Sequence, residues 1–293
     1  MVATEGSTSG VAEQRRRPTR TGGRTSGSAA GNPAIAEVAD RLWQAEVDGV
    51  PIDPVTDSWP NLSVDDAYAV QNHNVDRRVA AGAVVCGRKV GLTSRVAQEQ
   101  LGVREPTFGA LLDDMFVEEA DEVALDALVA PRVEAEIAFV MAGDLAGPGV
   151  TTTRALAAIG GALPAIEVVD SRIADWRIRL PDTVADNASA ARVVLGARIT
   201  PVDSVDLRLV GVLFSRNGAP IDSGAGAAVL GNPARCVAWL ANRLGALGSG
   251  LRGGDVVLPG ALHRMVPVRP GDVFQAQFAH LGTVTVQFSG AAS

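Results

Sequence analysis

Residues 132–140 read Arg-Val-Glu-Ala-Glu-Ile-Ala-Phe-Val, and this alternation of apolar and acidic side chains predicts a β-strand. Side chains two apart on a strand share a face, so Glu134 and Glu136 point one way and the apolar side chains point the other. Further short apolar runs, separated by Gly, Pro and Asp, predict more strands. They are VVCGRKVGL (84–92), VEAEIAFVMA (133–142), LPAIEVVD (163–170), ARVVLGARI (191–199), LRLVGVLFS (207–215), DVVLPGAL (255–262), DVFQAQFA (272–279) and GTVTVQFS (282–289).

Helical signals concentrate before the first strand. Apolar residues recur at helical spacing between Ala34 and Gly49, and Ser63 with Asp66 forms a capping box that predicts a second helix start. Asn232 followed by Pro233 predicts one helix within the strand-rich half, ending near Gly245. The pattern therefore predicts an α+β fold, with an N-terminal helical segment at 34–82 and a β-rich domain at 83–293.

Composition narrows the class of protein. The net charge is −7, which argues against nucleic acid as a partner because phosphate binding needs a basic face. No run approaches the ~20 apolar residues that span a bilayer, so we expect a soluble, cytoplasmic protein without a membrane partner. Cys86 and Cys236 match no metal-ligand spacing and are expected to be structural thiols. Residues 1–33 are rich in Arg, Ser and Gly and are expected to form a disordered tail.

The acidic residues predict a metal site. Two carboxylates side by side repel each other in an apolar setting unless a cation lies between them. An isolated Glu-x-Glu usually marks a solvated strand face, but Glu167 is a second acid within an apolar run and also needs a partner. Oxygen-only ligation by Glu134, Glu136 and Glu167 favours Mg²⁺ or Mn²⁺, with about half of the shell open for a chelating 2-oxo acid.

Two further clusters carry polar groups among small or apolar residues. Lys89 lies in Gly87-Arg-Lys-Val-Gly91, and in a dry pocket its pKa could fall far enough for acid–base work. It could equally be a solvated turn lysine. Asp186, Asn187 and Ser189 lie in the polar segment 182–189, where they are either ligand-binding residues or turn formers.

These pieces, in this order, resemble the 2-oxopent-4-enoate (2-hydroxypentadienoate) hydratases and the 4-oxalocrotonate decarboxylases of the fumarylacetoacetate hydrolase superfamily. The resemblance covers roughly residues 35–290. It rests on GRKVGLTS (87–94), PTFGALLDDM (106–115), PRVEAEIAFV (131–140), LPAIEVVDSRIADWRI (163–178), DTVADNAS (182–189), GAGAAVLGNP (224–233) and GDVVLPGAL (254–262).

The resemblance implies roles for these residues. Glu134, Glu136 and Glu167 would hold Mg²⁺ or Mn²⁺, and Lys89 would be the catalytic lysine. It also implies a mixed β-roll core, a ring-like homo-oligomer, possible association with a sister enzyme, and a small 2-oxo or 2-hydroxydienoate substrate in the catabolism of aromatic or related compounds. The candidate substrate-binding residues are Thr107, Asp186, Asn187, Ser189, Arg192 and Gly260.

The motifs divide between hydration and decarboxylation. Hydratases of the family usually carry an acid where this chain has Thr107, and decarboxylases tend to carry an Arg at the position of Arg192, which could pair with a second substrate carboxylate. The segments DSRIADWRI and DTVADNAS, and the helix CVAWLANRLG, look more like hydratase sequences. We therefore favour a lyase of the hydratase type, with 4-oxalocrotonate decarboxylase as the alternative.

Two other classes fit less well. A C–C bond hydrolase of the superfamily usually needs a His–Glu pair to activate water, and His73, His263 and His280 lie outside the candidate motifs. A non-catalytic assembly subunit would explain Thr107, but it would not explain why Lys89 accompanies all three glutamates.

Overall fold

Thirteen strands and six helices make up the computed structural model, which describes residue 1 and residues 33–290 apart from 95–97, 100–101 and 120. The predicted disordered tail lies almost entirely outside the described residues. The helices are α1 (Pro33–Asp48), α2 (Val55–Ser58), α3 (Val64–Ala80), α4 (Thr152–Ala158), α5 (Leu180–Ala185) and α6 (Pro233–Ala246). The strands are β1 (Val85–Gly91), β2 (Thr107–Leu112), β3 (Phe116–Val117), β4 (Glu122–Val123), β5 (Arg132–Met141), β6 (Ile159–Val169), β7 (Ala190–Leu195), β8 (Gly211–Arg216), β9 (Ala219–Ala225), β10 (Val256–Leu258), β11 (Val266–Pro267), β12 (Val273–Phe278) and β13 (Gly282–Phe288).

The strands form two sheets. The larger has the order β2-β1-β10-β5-β6-β7-β3, with β11 also paired to β5, and the smaller has the order β4-β13-β12-β8-β9. Pairing is mixed, because β1–β10, β3–β7 and β4–β13 are parallel whereas the long central strands β5 and β6 are antiparallel. The predicted α+β class, with N-terminal helices followed by a mixed sheet, is confirmed.

The predicted helix signals are present as capping contacts. Ser63 accepts a hydrogen bond from the backbone of Asp66, and the Asp66 side chain accepts one from the backbone of Ser63, which completes the capping box of α3. Asn232 caps α6 by accepting from the Ala234 N–H, with Pro233 at the first helical position. The N-termini of α3 and α6 are fixed by hydrogen bonds between residues close in the sequence, so the sequence alone identifies them.

The strand-rich half contains more helix than predicted. Two short helices, α4 and α5, join α6 there, and α5 occupies the first part of the segment that the sequence indicated as a polar loop. Short helices give little periodic signal, and tertiary contacts decide whether they form. Asp182 illustrates this, since its buried carboxylate accepts hydrogen bonds from the backbone and hydroxyl of Thr56, 126 residues away. The division of the chain at residues 82 and 83 stays a prediction.

Packing of the core against one face of the large sheet determines which side chains lie on its other face. On β5 the side chains of Val133, Ala135, Ile137 and Phe139 are fully buried in the main apolar cluster. The intervening side chains therefore project from the other face of the strand. Across the described part of the chain, no helix is long and apolar enough to cross a membrane.

Candidate active site

Three glutamates converge on one face of the antiparallel strand pair β5–β6. Antiparallel pairing of β5 and β6 sets Glu134 directly opposite Glu167, and Glu136 opposite Ala165, so all three acids share a face. One carboxylate oxygen from each residue lies within 4.8 Å of the others. Glu136 and Glu167 are at most 1% exposed, and Glu134 is half-buried. The arrangement is a compact, largely desolvated cluster of oxygen donors.

Few hydrogen-bond donors or positive charges of the protein offset the negative charge of these carboxylates. Both oxygens of Glu167 are buried, and among the described residues their one close cation is the ammonium of Lys89, which lies 3.1 Å from Oε1. Glu136 accepts one hydrogen bond, from the Gly260 N–H at 2.7 Å. Burial and the charge of Glu167 raise the pKa of Glu134 to about 7. The same two causes raise the pKa of Glu136 well above its usual range. Three buried carboxylates beside a single lysine fit a hard divalent cation, which would supply the missing positive charge.

Lys89 faces the glutamates from β1. Its Nζ lies 3.1 Å from Glu167 Oε1 and donates to the carbonyl oxygen of Ala188 at 3.0 Å, with 5% of the residue exposed. Burial alone lowers the pKa of Lys89, but the charges of the three glutamates outweigh burial and raise it. The direction is therefore opposite to the lowered pKa that the sequence suggested, because the sequence did not show three acids so close.

Lys89 is also the only lysine in the chain, beside 25 arginines. Arginine cannot be deprotonated in proteins, whereas a lysine ammonium can exchange a proton. This exception in the composition is a sequence-level signal that singles out residue 89.

A cavity of about 440 Å³ opens beside Lys89 and Glu134. Its wall includes the polar side chains of Thr107 and Ser189 and the apolar side chains of Trp176, Ile178 and Met265. The volume falls within the roughly 300–1,000 Å³ of ordinary small-molecule sites. Ser189 Oγ is buried there without a hydrogen-bond partner, so it is available to a ligand.

The other candidate binding residues are placed differently. Gly260 has φ 128°, and a Cβ there would lie 2.0 Å from Thr93 Oγ1, so only glycine brings this backbone N–H to Glu136. Asp186 is engaged by Arg172, and Asn187 by the backbone of Ala110.

Arg192 lies on the opposite face of the large sheet from Glu167. It pairs with Val168 in the β6–β7 register, whereas Glu167 pairs with Val193. Its guanidinium donates to the carbonyl oxygen of Ala191 at 2.9 Å. A contact between Arg192 and a ligand held at the three glutamates has no support from this geometry.

His263 lines the cavity, although the sequence patterns did not point to it. Its Nε2 accepts from the Ala135 N–H at 3.1 Å, and its Nδ1 lies 2.7 Å from the Arg264 carbonyl oxygen. The imidazole is therefore neutral and protonated on Nδ1. Burial lowers the pKa of His263. With both ring nitrogens bonded to backbone, the residue is not free to activate water, which argues against the His–Glu hydrolase alternative.

The raised pKa of Glu134 predicts a pH dependence for the metal-free protein. A carboxyl whose pKa is raised from 4.5 to about 7 binds its proton more tightly in the folded state. Its contribution to the free energy of unfolding is thus fully present below about 4.5 and is lost as the pH rises through about 7. Thermal unfolding in excess chelator should show the midpoint falling between pH 5.5 and pH 8. Glu134→Gln should flatten this dependence, and parallel curves for the two proteins would contradict the prediction.

Comparison with known proteins agrees with this fold. The family model for the fumarylacetoacetate (FAA) hydrolase C-terminal domain matches residues 83–289. The chain is 49% identical over 252 residues to a 2-keto-4-pentenoate hydratase of Paraburkholderia xenovorans, covering 86% of this chain and 94% of the relative. It is 45% identical over 257 residues to a 2-hydroxyhexa-2,4-dienoate hydratase of Comamonas testosteroni, covering 87% and 97%.

A solved structure is similar along most of the chain. The 4-oxalocrotonate decarboxylase from Pseudomonas putida G7, complexed with magnesium and adipate, superposes with a TM-score of 0.84 at 38% identity. The match covers 87% of this chain and 97% of the decarboxylase. The predicted family is confirmed by sequence and by fold, and the chain belongs to the fumarylacetoacetate hydrolase family.

Proposed function

We propose that this protein is a divalent-metal-dependent hydratase, a lyase that adds water to a 2-hydroxy-2,4-dienoate to give a 4-hydroxy-2-oxo acid. The observation that carries the proposal is the convergence of Glu134, Glu136 and Glu167 within 4.8 Å beside a buried lysine and a ligand-sized cavity. Relatives with 45–49% identity that are named as hydratases of such acids support it.

The three glutamates would hold the metal. Their all-oxygen donor set suits Mg²⁺ or Mn²⁺ better than Zn²⁺. The cation would act as a Lewis acid on the carboxylate and 2-oxo oxygens of the substrate. Glu136 keeps its orientation through the Gly260 N–H, so this ligand is aimed before anything binds.

The remaining polar groups would bind the substrate and move protons. Lys89 Nζ would carry the proton delivered to C5 of the dienol as the 2-hydroxyl gives up its proton. Water would then add across the C3=C4 double bond, with its oxygen bonding to C4 and a proton going to C3. Ser189 Oγ, buried and unpartnered at the wall, would donate to or accept from the substrate. Thr107 lines the same cavity and would be a weaker polar contact. Apolar wall residues such as Trp176 and Ile178 would exclude bulk water from the chain of the acid.

Decarboxylation of 4-oxalocrotonate is the second candidate. Thr107 favours it because the cavity lacks an acid at that position, and the similarity to the Pseudomonas putida G7 decarboxylase structure is consistent with it. Arg192 lies on the opposite face of the sheet from Glu167, so its position lends no support to recognition of a second substrate carboxylate. Hydration is therefore the better-supported reaction.

The wider setting follows from the proposed reaction. A hydratase of dienoates would serve the catabolism of aromatic or related compounds, after the ring has been opened. By family resemblance, we also propose a homo-oligomer, with possible association with a sister enzyme.

A product assay with two substrates tests the proposal. With Mn²⁺ or Mg²⁺ the protein should convert 2-hydroxypenta-2,4-dienoate to 4-hydroxy-2-oxopentanoate, should lose activity in excess chelator, and should regain it when the metal is restored. Release of carbon dioxide from 2-oxohex-3-enedioate at a higher kcat/KM would instead identify the decarboxylase. Inactivity toward both acids with metal bound would support the non-catalytic alternative.

A further inference from the structure

A left-handed turn at residues 187–189 lies directly against Lys89. Asn187, Ala188 and Ser189 have φ of 50°, 51° and 57°. L residues rarely adopt this region, and three in succession persist only where surrounding contacts impose the conformation. The turn is therefore held by other parts of the structure rather than by its own preference.

The side chain of Asn187 supplies one such contact. Its Oδ1 accepts from the Ala110 N–H at 2.8 Å, and its Nδ2 donates to the Ala110 carbonyl oxygen at 2.9 Å. The amide thus pairs with β2 as a neighbouring strand would. Gly109 permits this approach, since a Cβ there would lie 2.3 Å from the Asn187 carbonyl oxygen.

A buried ion pair fixes the residue before the turn. Arg172 donates from Nε to Asp186 Oδ1, from its backbone N–H to Asp186 Oδ2 at 3.1 Å, and from Nη2 to the Asp186 carbonyl oxygen at 2.8 Å. The Ser189 N–H donates to the same carbonyl at 2.8 Å. Both side chains are buried and neither lines the cavity, so this anchor of the turn lies outside the cavity wall.

The anchored turn presents two groups to the site. The Ala188 carbonyl oxygen accepts from Lys89 Nζ at 3.0 Å, and the same Nζ lies 3.1 Å from Glu167 Oε1. Ser189 places its unpartnered hydroxyl in the cavity wall. Relaxation of the turn toward ordinary backbone angles would move both groups together.

We propose that Asn187 is a positioning residue, which holds the 187–189 turn so that Ala188 orients the Lys89 ammonium and Ser189 faces the substrate. Asn187 does not line the cavity, and both polar atoms of its side chain are used on Ala110. The proposal rests on the role proposed for Lys89, but the effect of Asn187 on the environment of the Lys89 side chain can be measured without turnover.

Asn187→Gly is the test variant, and Asn217→Gly is its matched control. Glycine accepts left-handed angles freely, so the substitution removes the amide contacts without adding backbone strain. Asn217 also has a left-handed φ, of 51°, and its Oδ1 accepts from the Val273 N–H at 2.8 Å. It lies between β8 and β9 in the smaller sheet, so its replacement causes a similar loss outside the site.

The single lysine gives a direct readout. Protein grown with lysine labelled with ¹³C at Cε alone shows one lysine side-chain signal, and N187G should shift or broaden it in the metal-free and Mg²⁺-bound states while N217G leaves it unchanged. We expect kcat of N187G to fall by about 10- to 100-fold, because small misplacements of catalytic groups have effects of that size. Mn²⁺ affinity should stay near that of the wild type, since the glutamates lie on β5 and β6.

The outcomes separate this proposal from the proposed function. A lysine signal in N187G that matches N217G would overturn the positioning role whatever the activity. A shifted signal in a protein whose wild type hydrates nothing would retain the positioning role and reject the hydratase. Should N187G fail to fold, Asn187→Asp keeps the acceptor for Ala110 N–H and sets a carboxylate against Ala110 O. N187D is expected to shift the Lys89 signal as N187G does, and a wild-type lysine signal in N187D would again overturn the proposal.

Discussion

Replacing Glu136 with glutamine is expected to weaken Mn²⁺ binding by about 100-fold or more and to abolish measurable hydration, since even outer-shell substitutions cost roughly 10- to 100-fold. The side chain is 1% exposed and accepts from the Gly260 N–H. Glutamine has the same shape and can keep that hydrogen bond through its own oxygen. The substitution therefore removes one charge and leaves the packing intact.

The same variant should gain stability when no metal is present. Burial and the neighbouring glutamates raise the pKa of Glu136 well above its usual range, so its ionised form is disfavoured in the fold. A neutral amide lacks this cost, and the thermal midpoint of metal-free E136Q at pH 8 should exceed that of the wild type. Saturating Mn²⁺ should stabilise the wild type far more than the variant.

Titration calorimetry with Mn²⁺ and thermal unfolding with and without chelator measure both effects. Glu122→Gln is the matched control, because Glu122 is an exposed strand residue whose carboxylate accepts from Gln287. E122Q should change neither the Mn²⁺ affinity nor the thermal midpoint. Wild-type Mn²⁺ affinity in E136Q, or a metal-free midpoint well below the wild type, would show that the carboxylate serves packing rather than a metal.

The parts of this fold that sequence could predict are those set by local chemistry. The alternation at 132–140 places Glu134 and Glu136 on one face of β5, and the Ser63–Asp66 box begins α3 where expected. Both depend on residues two or three apart. Period-two alternation and capping are decided within a few residues, so they are readable before any tertiary contact is known.

The register that completes the candidate site is not local. Glu167 meets Glu134 because β5 and β6 pair with these two residues opposite, and a slip by one residue would turn Glu167 to the core face. Sequence alone identified Glu167 as an acid in an apolar run that needed a partner. The apolar patterns of the two strands restrict the register, but only the folded hairpin specifies the distance between the acids.

Other features depend wholly on tertiary partners. Non-glycine residues with positive φ, as in the turn beginning at Asn187, give no signal in the sequence because Ala110 and Arg172 impose them from afar. The tautomer of His263 is likewise set by its hydrogen bonds to the backbone of Ala135 and Arg264. The direction of the Lys89 pKa could not be anticipated without the distance from Nζ to Glu167.

Replacing Lys89 with methionine is expected to separate metal binding from proton transfer. Methionine nearly matches the volume of lysine, so the packing around this 5% exposed residue should survive. We expect kcat to fall by about 10²- to 10⁴-fold, the range typical for loss of a general acid–base group. Mn²⁺ affinity should be unchanged or higher, because the ammonium that lies 3.1 Å from Glu167 no longer repels the metal.

Lys89→Arg distinguishes the proton from the charge. Arginine keeps a cation beside Glu167 but does not give up its proton near neutral pH, so K89R should lose kcat as K89M does while its Mn²⁺ affinity does not rise. Metal-free K89M should unfold at a lower temperature than K89R, because its buried glutamates then lack their nearest cation. If K89R kept wild-type kcat, Lys89 would act as a fixed charge, and the proton would have to come from another group on the cavity wall.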